Sequence, residues 1–312
     1  MKFTQNDYHK YLAQFIPDKY RELISENELE KCIENEYNFI NKRLENLKRA
    51  EKLKEICGVE GAEIADYRVR ILEFETFYVI VSIRFMGLDV TKPFLEIEFY
   101  NTDVITFASH LHKIKSKVIE EFCVFQCTEV SILISNQFLD LFKTFQLKLD
   151  KAVFSIPLLD VYKKTPPKID LKLEKVDDFS EKDYQIYLLE YKQFCESNPH
   201  LEGVHAEPLN TIREKAKSDY VFKIFQNNEW AGLCIYAKMS EYFLYGYLVW
   251  DKIIFEKFRG QNLSSYAQEM AFQNYIPKLD GFIFGYINIE NFASIHSAQK
   301  TGRENLFGFY RV

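Results

Sequence analysis

Six consecutive residues, Arg259-Gly260-Gln261-Asn262-Leu263-Ser264, have the make-up of an anion-binding loop. Arg259 brings a formal positive charge. Gly260 lets the backbone come close to a bound group. Asn262 is, after glycine, among the residues most tolerant of a left-handed backbone. Ser264 and Ser265 are small and can hydrogen-bond. The chemistry such a run supports is the gripping of a phosphate by backbone N–H groups.

That role needs a strand before the loop and a helix after it. The residues ahead of it, Tyr247-Leu248-Val249-Trp250 and Ile253-Ile254-Phe255, have strand composition. The residues behind it, Leu263, Tyr266, Ala267, Met270 and Ala271, fall on one helix face. The helix start leaves backbone N–H groups unpaired and carries partial positive charge.

The chain has 312 residues, enough for two domains. Hydrophobic residues make up 47% and aromatic ones 16%, which can fill two cores. The net charge of -6, without a long basic run, argues against nucleic acid as the main partner. No apolar run is long enough for a bilayer span, so no membrane partner is expected. The start, MKFTQNDYHKYLAQF, lacks a continuous apolar segment of the signal-peptide kind, and the expected location is cytoplasmic. The six cysteines show no zinc spacing, so no metal site is expected.

Helical spacing runs from about Asn6 to Ile56, punctuated by Pro17. Strands follow at Tyr67–Phe74, Phe77–Phe85 and Pro93–Phe99, then a helix over Asp103–Phe122. A short strand, a helix over Gln137–Leu147 and a strand over Val153–Leu159 complete the half. The run Lys163-Lys164-Thr165-Pro166-Pro167-Lys168 breaks the pattern and marks a boundary, giving domains 1–165 and 166–312. The second half repeats the order of elements, which points to duplication. Where the second half has its glycine-bearing loop, the first has Tyr100-Asn101-Thr102-Asp103. Asp103 would cap its helix and repel a phosphate, so the first half is expected to have lost the anion site. The fold class is α+β: two related halves, each a mixed sheet flanked by helices.

Residues from about Ile169 to Val312 resemble the GNAT superfamily of acyl-CoA-dependent N-acyltransferases. The family's Arg/Gln-x-x-Gly-x-Gly/Ala motif is similar to Arg259-Gly260-Gln261-Asn262-Leu263-Ser264. Its later Asn, small residue and Lys-x-Gly are similar to Asn291, Ser294 and Lys300-Thr301-Gly302. Asn262 and Ser264 depart from the family's small residues. Ala298 stands where many members carry a tyrosine that protonates the leaving thiolate, and Arg303 where a phenylalanine is usual. Many members have one more strand at the end, here either missing or supplied by another part of the chain.

The resemblance implies a GNAT-like second half, a degenerate tandem copy in the first, and acetyl-CoA or another acyl-CoA as cofactor. It implies that backbone groups of Ile253, Ile254 and Phe255 pair with the pantetheine arm. It also implies that N–H groups from Arg259 to Ser264 hold the pyrophosphate, with Asn291 and Ser294 at the next helix start. The reaction then needs a base for the amine and a donor for sulfur. Asp251 and Glu241 are candidate bases, His296 a candidate proton carrier, and Tyr286 or Tyr310 alternative donors. His205, in the polar loop 196–207, is a candidate acceptor contact. The implied activity is N-acetyl transfer to a primary amine, on a small molecule or a peptide. Two other functions stay open: an acyl-CoA-binding regulatory protein with little turnover, and a tandem-fold transferase taking aminoacyl groups from tRNA.

Overall fold

The computed structural model describes residues 2–163, 169–201 and 204–312. The run expected to separate the halves, 164–168, lies outside the described residues. The chain forms two compact units. The first holds Met1–Ala152, Glu241–Phe243 and Leu306–Val312; the second holds Val153–Ser240 and Leu244–Asn305.

The first unit opens with helices α1 (Gln5–Phe15), α2 (Asp18–Arg21), α3 (Glu26–Glu45) and α4 (Leu47–Ile56). Thr4, Ser25 and Asn46 cap α1, α3 and α4 with their side chains. Its sheet contains β1 (Arg70–Glu73), β2 (Tyr78–Phe85), β3 (Pro93–Tyr100) and β4 (Val130–Ser135), with α5 (Val104–Glu121) between the last two. β1, β2 and β3 pair antiparallel, and β3 pairs β4 in parallel. Two expected elements come out shorter. Residues 64–67 form a 3₁₀ turn whose Tyr67 is buried and donates to the Cys57 carbonyl (2.8 Å), leaving only Arg70–Glu73 as strand. The expected helix over Gln137–Leu147 is a 3₁₀ run, Asn136–Phe142. Of its apolar residues Phe138, Leu141, Phe142 and Phe145, only Phe142 is buried, too little to hold a longer helix.

The second unit contains α6 (Leu158–Tyr162), β6 (Leu171–Lys175), α7 (Glu181–Ser197), α8 (Leu209–Ser218), β7 (Tyr220–Gln226), β8 (Glu229–Glu241), β9 (Leu244–Ile254), α9 (Leu263–Asn274), β10 (Phe282–Asn288) and α10 (Phe292–Lys300). It also takes residues 153–157 of β5 (Lys148–Pro157), which lies beside β10. The last strand, β11 (Glu304–Arg311), belongs from Leu306 onward to the first unit, where it pairs antiparallel with β4 from Phe307↔Ser135 to Arg311↔Ser131. Of the two alternatives for the additional strand, missing or supplied by another part of the chain, the sheet order gives the second: β5, from earlier in the chain, lies beside β10. Asn227 and Asn228, both left-handed (φ 50° and 62°), make the tight turn between the antiparallel β7 and β8. Among the described residues, no helix is long and apolar enough to cross a membrane.

One pairing decides the geometry of the second unit. β9 and β10 run parallel with partners Gly246↔Phe282, Tyr247↔Ile283 and Leu248↔Phe284. That register ends at Leu248, although β9 continues to Ile254 and β10 to Asn288. Gly246 sits at the start of the paired stretch with φ 130°. A Cβ there would lie 2.4 Å from the Phe282 carbonyl oxygen and 2.8 Å from its nitrogen. Gly246→Ala is therefore expected to destabilise the protein by about 3 kcal/mol or more, from strained backbone and lost pairing together. The urea midpoint checks it; an unchanged midpoint would mean that the pairing is not as described.

Candidate functional site

Past Leu248, the edges of β9 and β10 face a cavity instead of each other. Val249–Lys252 and Gly285–Asn288 line a space of about 290 Å³, together with Tyr191, Val204, His205, Glu207, Asn291, Ser294 and Arg303. A second space of about 540 Å³ is lined by Lys252–Ile254, Phe258–Gly260, Asn262–Ser265, parts of α7 and the first turns of α10. The two share Tyr191, Val204, Lys252, Asn291 and Ser294.

The backbone of the loop takes the left-handed turns that its residues allow. Gly260 is left-handed (φ 79°) with open space around it, and Asn262 is left-handed too (φ 61°). Asn262 is the N-cap of α9 and makes no side-chain cap bond, so the helix start is not closed by its own side chain. The Arg259 guanidinium turns back: its Nε donates to the Ile254 carbonyl (3.0 Å), and the group lies 5.3 Å from the centre of the Phe194 ring. Its Nη2 is buried without a partner among the described residues. Gln261 points away and accepts from Gln226 (2.8 Å).

Strand alternation decides which backbone groups face the open edge. The Phe255 N–H donates to Ala231 of β8 (2.9 Å), and the Ile253 carbonyl lies against Gly232 of β8. Lys252 and Ile254 therefore present their backbone to the other edge, where β10 has parted. Of the expected trio, only Ile254 does so, and Arg259 already occupies its carbonyl.

Asp251 lies in the smaller cavity and accepts from Tyr187 (2.7 Å) and Tyr191 (2.5 Å), both on α7. Burial pushes its carboxyl above the ordinary range, against the two tyrosine bonds, and nearby Glu207 adds to the rise. Burial and Asp251 together raise both tyrosines. His296 is on the wall of the larger cavity, and His205 and Tyr286 are on that of the smaller. Glu241 is not brought here. It belongs to the first unit, where its charge acts on Glu36, Tyr8 and Tyr242. Tyr310 also belongs to the first unit, and Ala298 is fully buried.

Sequence reasoning missed Lys252. It is half-buried on the wall of both cavities, and its Nζ donates to the Ser297 hydroxyl (3.1 Å), itself 2.9 Å from the Ser264 hydroxyl. Burial, then the Arg303 charge, pulls the Lys252 amine down to about 7. The available signal was a charge inside an apolar strand, Trp250-Asp251-Lys252-Ile253.

The matching place in the first unit is closed. The N–H of Val104, at the start of α5, donates to Gln14 Oε1 (2.7 Å), and that of Thr106 to Asp103 Oδ1 (2.9 Å). Two side-chain oxygens thus occupy the amides that an anion would need.

No family model matches the chain, and no curated protein matches it. Among solved structures, it is similar to a GCN5-related N-acetyltransferase from Sphaerobacter thermophilus, with TM-score 0.48, 9% identity and 84% of each chain covered. It is similar to a tandem GNAT protein from the clavulanic acid biosynthesis pathway, with TM-score 0.46, 8% identity, and 85% of this chain and 94% of that one covered. A GNAT-family acetyltransferase from Colwellia psychrerythraea gives TM-score 0.46 at 10% identity, covering 85% of this chain and 96% of that one. TM-scores below 0.5 do not assign a family. It is in the order of strand, loop and helix around one cleft that the second unit resembles the GNAT superfamily.

Proposed function

We propose that the second unit is an N-acyltransferase, taking an acyl group, acetyl in the simplest case, from acyl-CoA to a primary amine. The observation that supports it best is the cleft itself. Parted parallel strands open beside an uncapped helix start, and an orphaned Arg259 nitrogen is buried at the same wall. These groups suit an extended amide chain ending in a diphosphate. The N–H groups at the start of α9 would hold the phosphates, and the Lys252 and Ile254 edge of β9 would pair with the amide arm as an added strand does. When bound, acyl-CoA supplies a thioester, whose carbonyl an amine can attack.

The chain's own groups then manage two protons. Asp251, raised by burial, accepts a proton from the incoming ammonium and keeps the amine neutral. Tyr187 and Tyr191 fix its orientation. Lys252, with its amine near 7, gives a proton to the departing sulfur in place of the tyrosine absent at Ala298, and regains the one that the attached nitrogen sheds after attack. Ser297 holds that amine in position. A second reading, binding without turnover, draws on Ala298 alone.

Acetyl-CoA at millimolar concentration is expected to raise the melting temperature by several degrees, and free thiol to appear with a suitable amine. A shift without thiol release across a broad amine panel would support the second reading. No shift at all would sink both.

A further inference from the structure

Arg303 is 3% exposed, yet no carboxylate pairs with it among the described residues. Its Nε makes one long bond, to the Thr301 hydroxyl (3.4 Å). Its Nη1 lies 3.2 Å from where a Cβ of Gly285 would stand, just where β9 and β10 part, and the residue lines the 290 Å³ cavity. Burial pulls the guanidinium down to about 10. A second cation, Lys252, lies close enough to feel the Arg303 charge, and it too has no carboxylate partner among the described residues. Two cations on one wall of a closed-in space are unfavourable unless an anion joins them. The acidic groups of the same cavity stand elsewhere: Asp251 is bonded to the α7 tyrosines, and Glu207 lies beside it.

We propose that this cavity binds the acceptor by a carboxylate, which Arg303 receives while the amine end meets Asp251 and Glu207. The acceptor class is thus a small amine bearing an acid, an amino acid or a close relative. The inference rests on the acyltransferase reading for the identity of the amine end. Its charge arrangement is dipolar, cationic on the Arg303 side and acidic on the α7 side, which matches a zwitterion and mismatches a simple alkylamine. The cavity is at the small end for a ligand site, which favours a metabolite over a peptide.

The test compares amines that differ only in the acid: alanine against ethylamine, lysine against cadaverine, with phosphoethanolamine to separate a carboxylate from a phosphate. Free thiol is measured with wild-type protein and acetyl-CoA, and the corresponding N-acetyl products are titrated in the presence of CoA. We expect at least one carboxylated amine to be preferred over its partner by about 10-fold or more, as a charge-assisted pair contributes. Arg303→Gln should raise its KM by a similar factor while the acetyl-CoA melting shift stays. Arg303→Lys, which keeps the charge, should recover part of the loss, and it serves if the glutamine variant does not fold. A normal acetyl-CoA shift with equal use of ethylamine and alanine, and no product binding, would overturn this inference alone. Preference for phosphoethanolamine would overturn the carboxylate. Absence of the acetyl-CoA shift would instead strike the acyltransferase reading beneath it.

Discussion

Lys252→Met should lower turnover by about 100-fold or more, the usual contribution of a positioned proton donor, while leaving the acetyl-CoA melting shift in place. The same change should make the free protein more stable near neutral pH. The sign follows from the depressed amine. Lys252 titrates near 7 when folded against 10.5 when free, so between those values the unfolded chain binds more protons. Stability from this group is therefore fully present above about 10.5 and is lost as pH falls towards 7. Methionine keeps the stem's packing and removes that loss, so the variant's advantage in melting temperature should grow from pH 10 down to pH 7 and then level off. Activity gives the second readout. A donor must hold its proton, so wild-type turnover should fall above about pH 7, and the variant should lack that limb. The neighbours titrate higher: Arg303, with its pKa near 10, is charged over most of the window and loses its proton only at its upper end, and burial holds the Cys234 thiol up at about 12. A variant with unchanged turnover, or with the same high-pH limb as wild type, would remove Lys252 from the chemistry.

The contrast between Lys252 and Asn262 shows what the sequence could carry. Asn262, Gly260 and the helix after them are set by local rules: left-handed tolerance, a glycine where the backbone must bend, and helical spacing. Those were legible, and the structure gives Asn262 a φ of 61°. The role of Lys252 depends on what β9 does after Leu248. Nothing in the strand's own residues says that β10, which starts thirty residues further along, will stop pairing with it at Leu248. Separation in sequence also hid the tyrosines on α7. Tyr187 and Tyr191 lie one turn apart on α7, and only packing turned their hydroxyls onto Asp251. Glu241 failed to join the cleft for a related reason. It was placed by its nearness to β9 in sequence, but the turn it begins belongs to the first unit. The fate of the first half's anion site was half legible: Asp103 announced a cap, whereas Gln14 arrives from another helix.

That closed site suggests the sharpest test of the open one. Asn262→Asp should weaken acetyl-CoA binding by about 100-fold without harming the fold. Aspartate shares asparagine's tolerance of the left-handed backbone, so the loop conformation can persist. A carboxylate at a helix start is favourable by about 0.3–1 kcal/mol, so the ligand-free variant should be as stable as wild type or slightly more so. Towards a diphosphate the effect reverses. A unit negative charge about 5–6 Å from another costs roughly 3 kcal/mol at an effective dielectric of 20, which is on the order of 100-fold in affinity. The carboxylate also competes for the amides it faces, as Asp103 does for that of Thr106 in the first unit. Asn262→Gly supplies the control, since it keeps the left-handed turn without the charge and should retain the melting shift. Loss of the shift in the aspartate variant alone would locate the diphosphate at the start of α9. Equal shifts in both variants would mean that the ligand's phosphates lie elsewhere, and the cleft would lose its strongest claim to acyl-CoA.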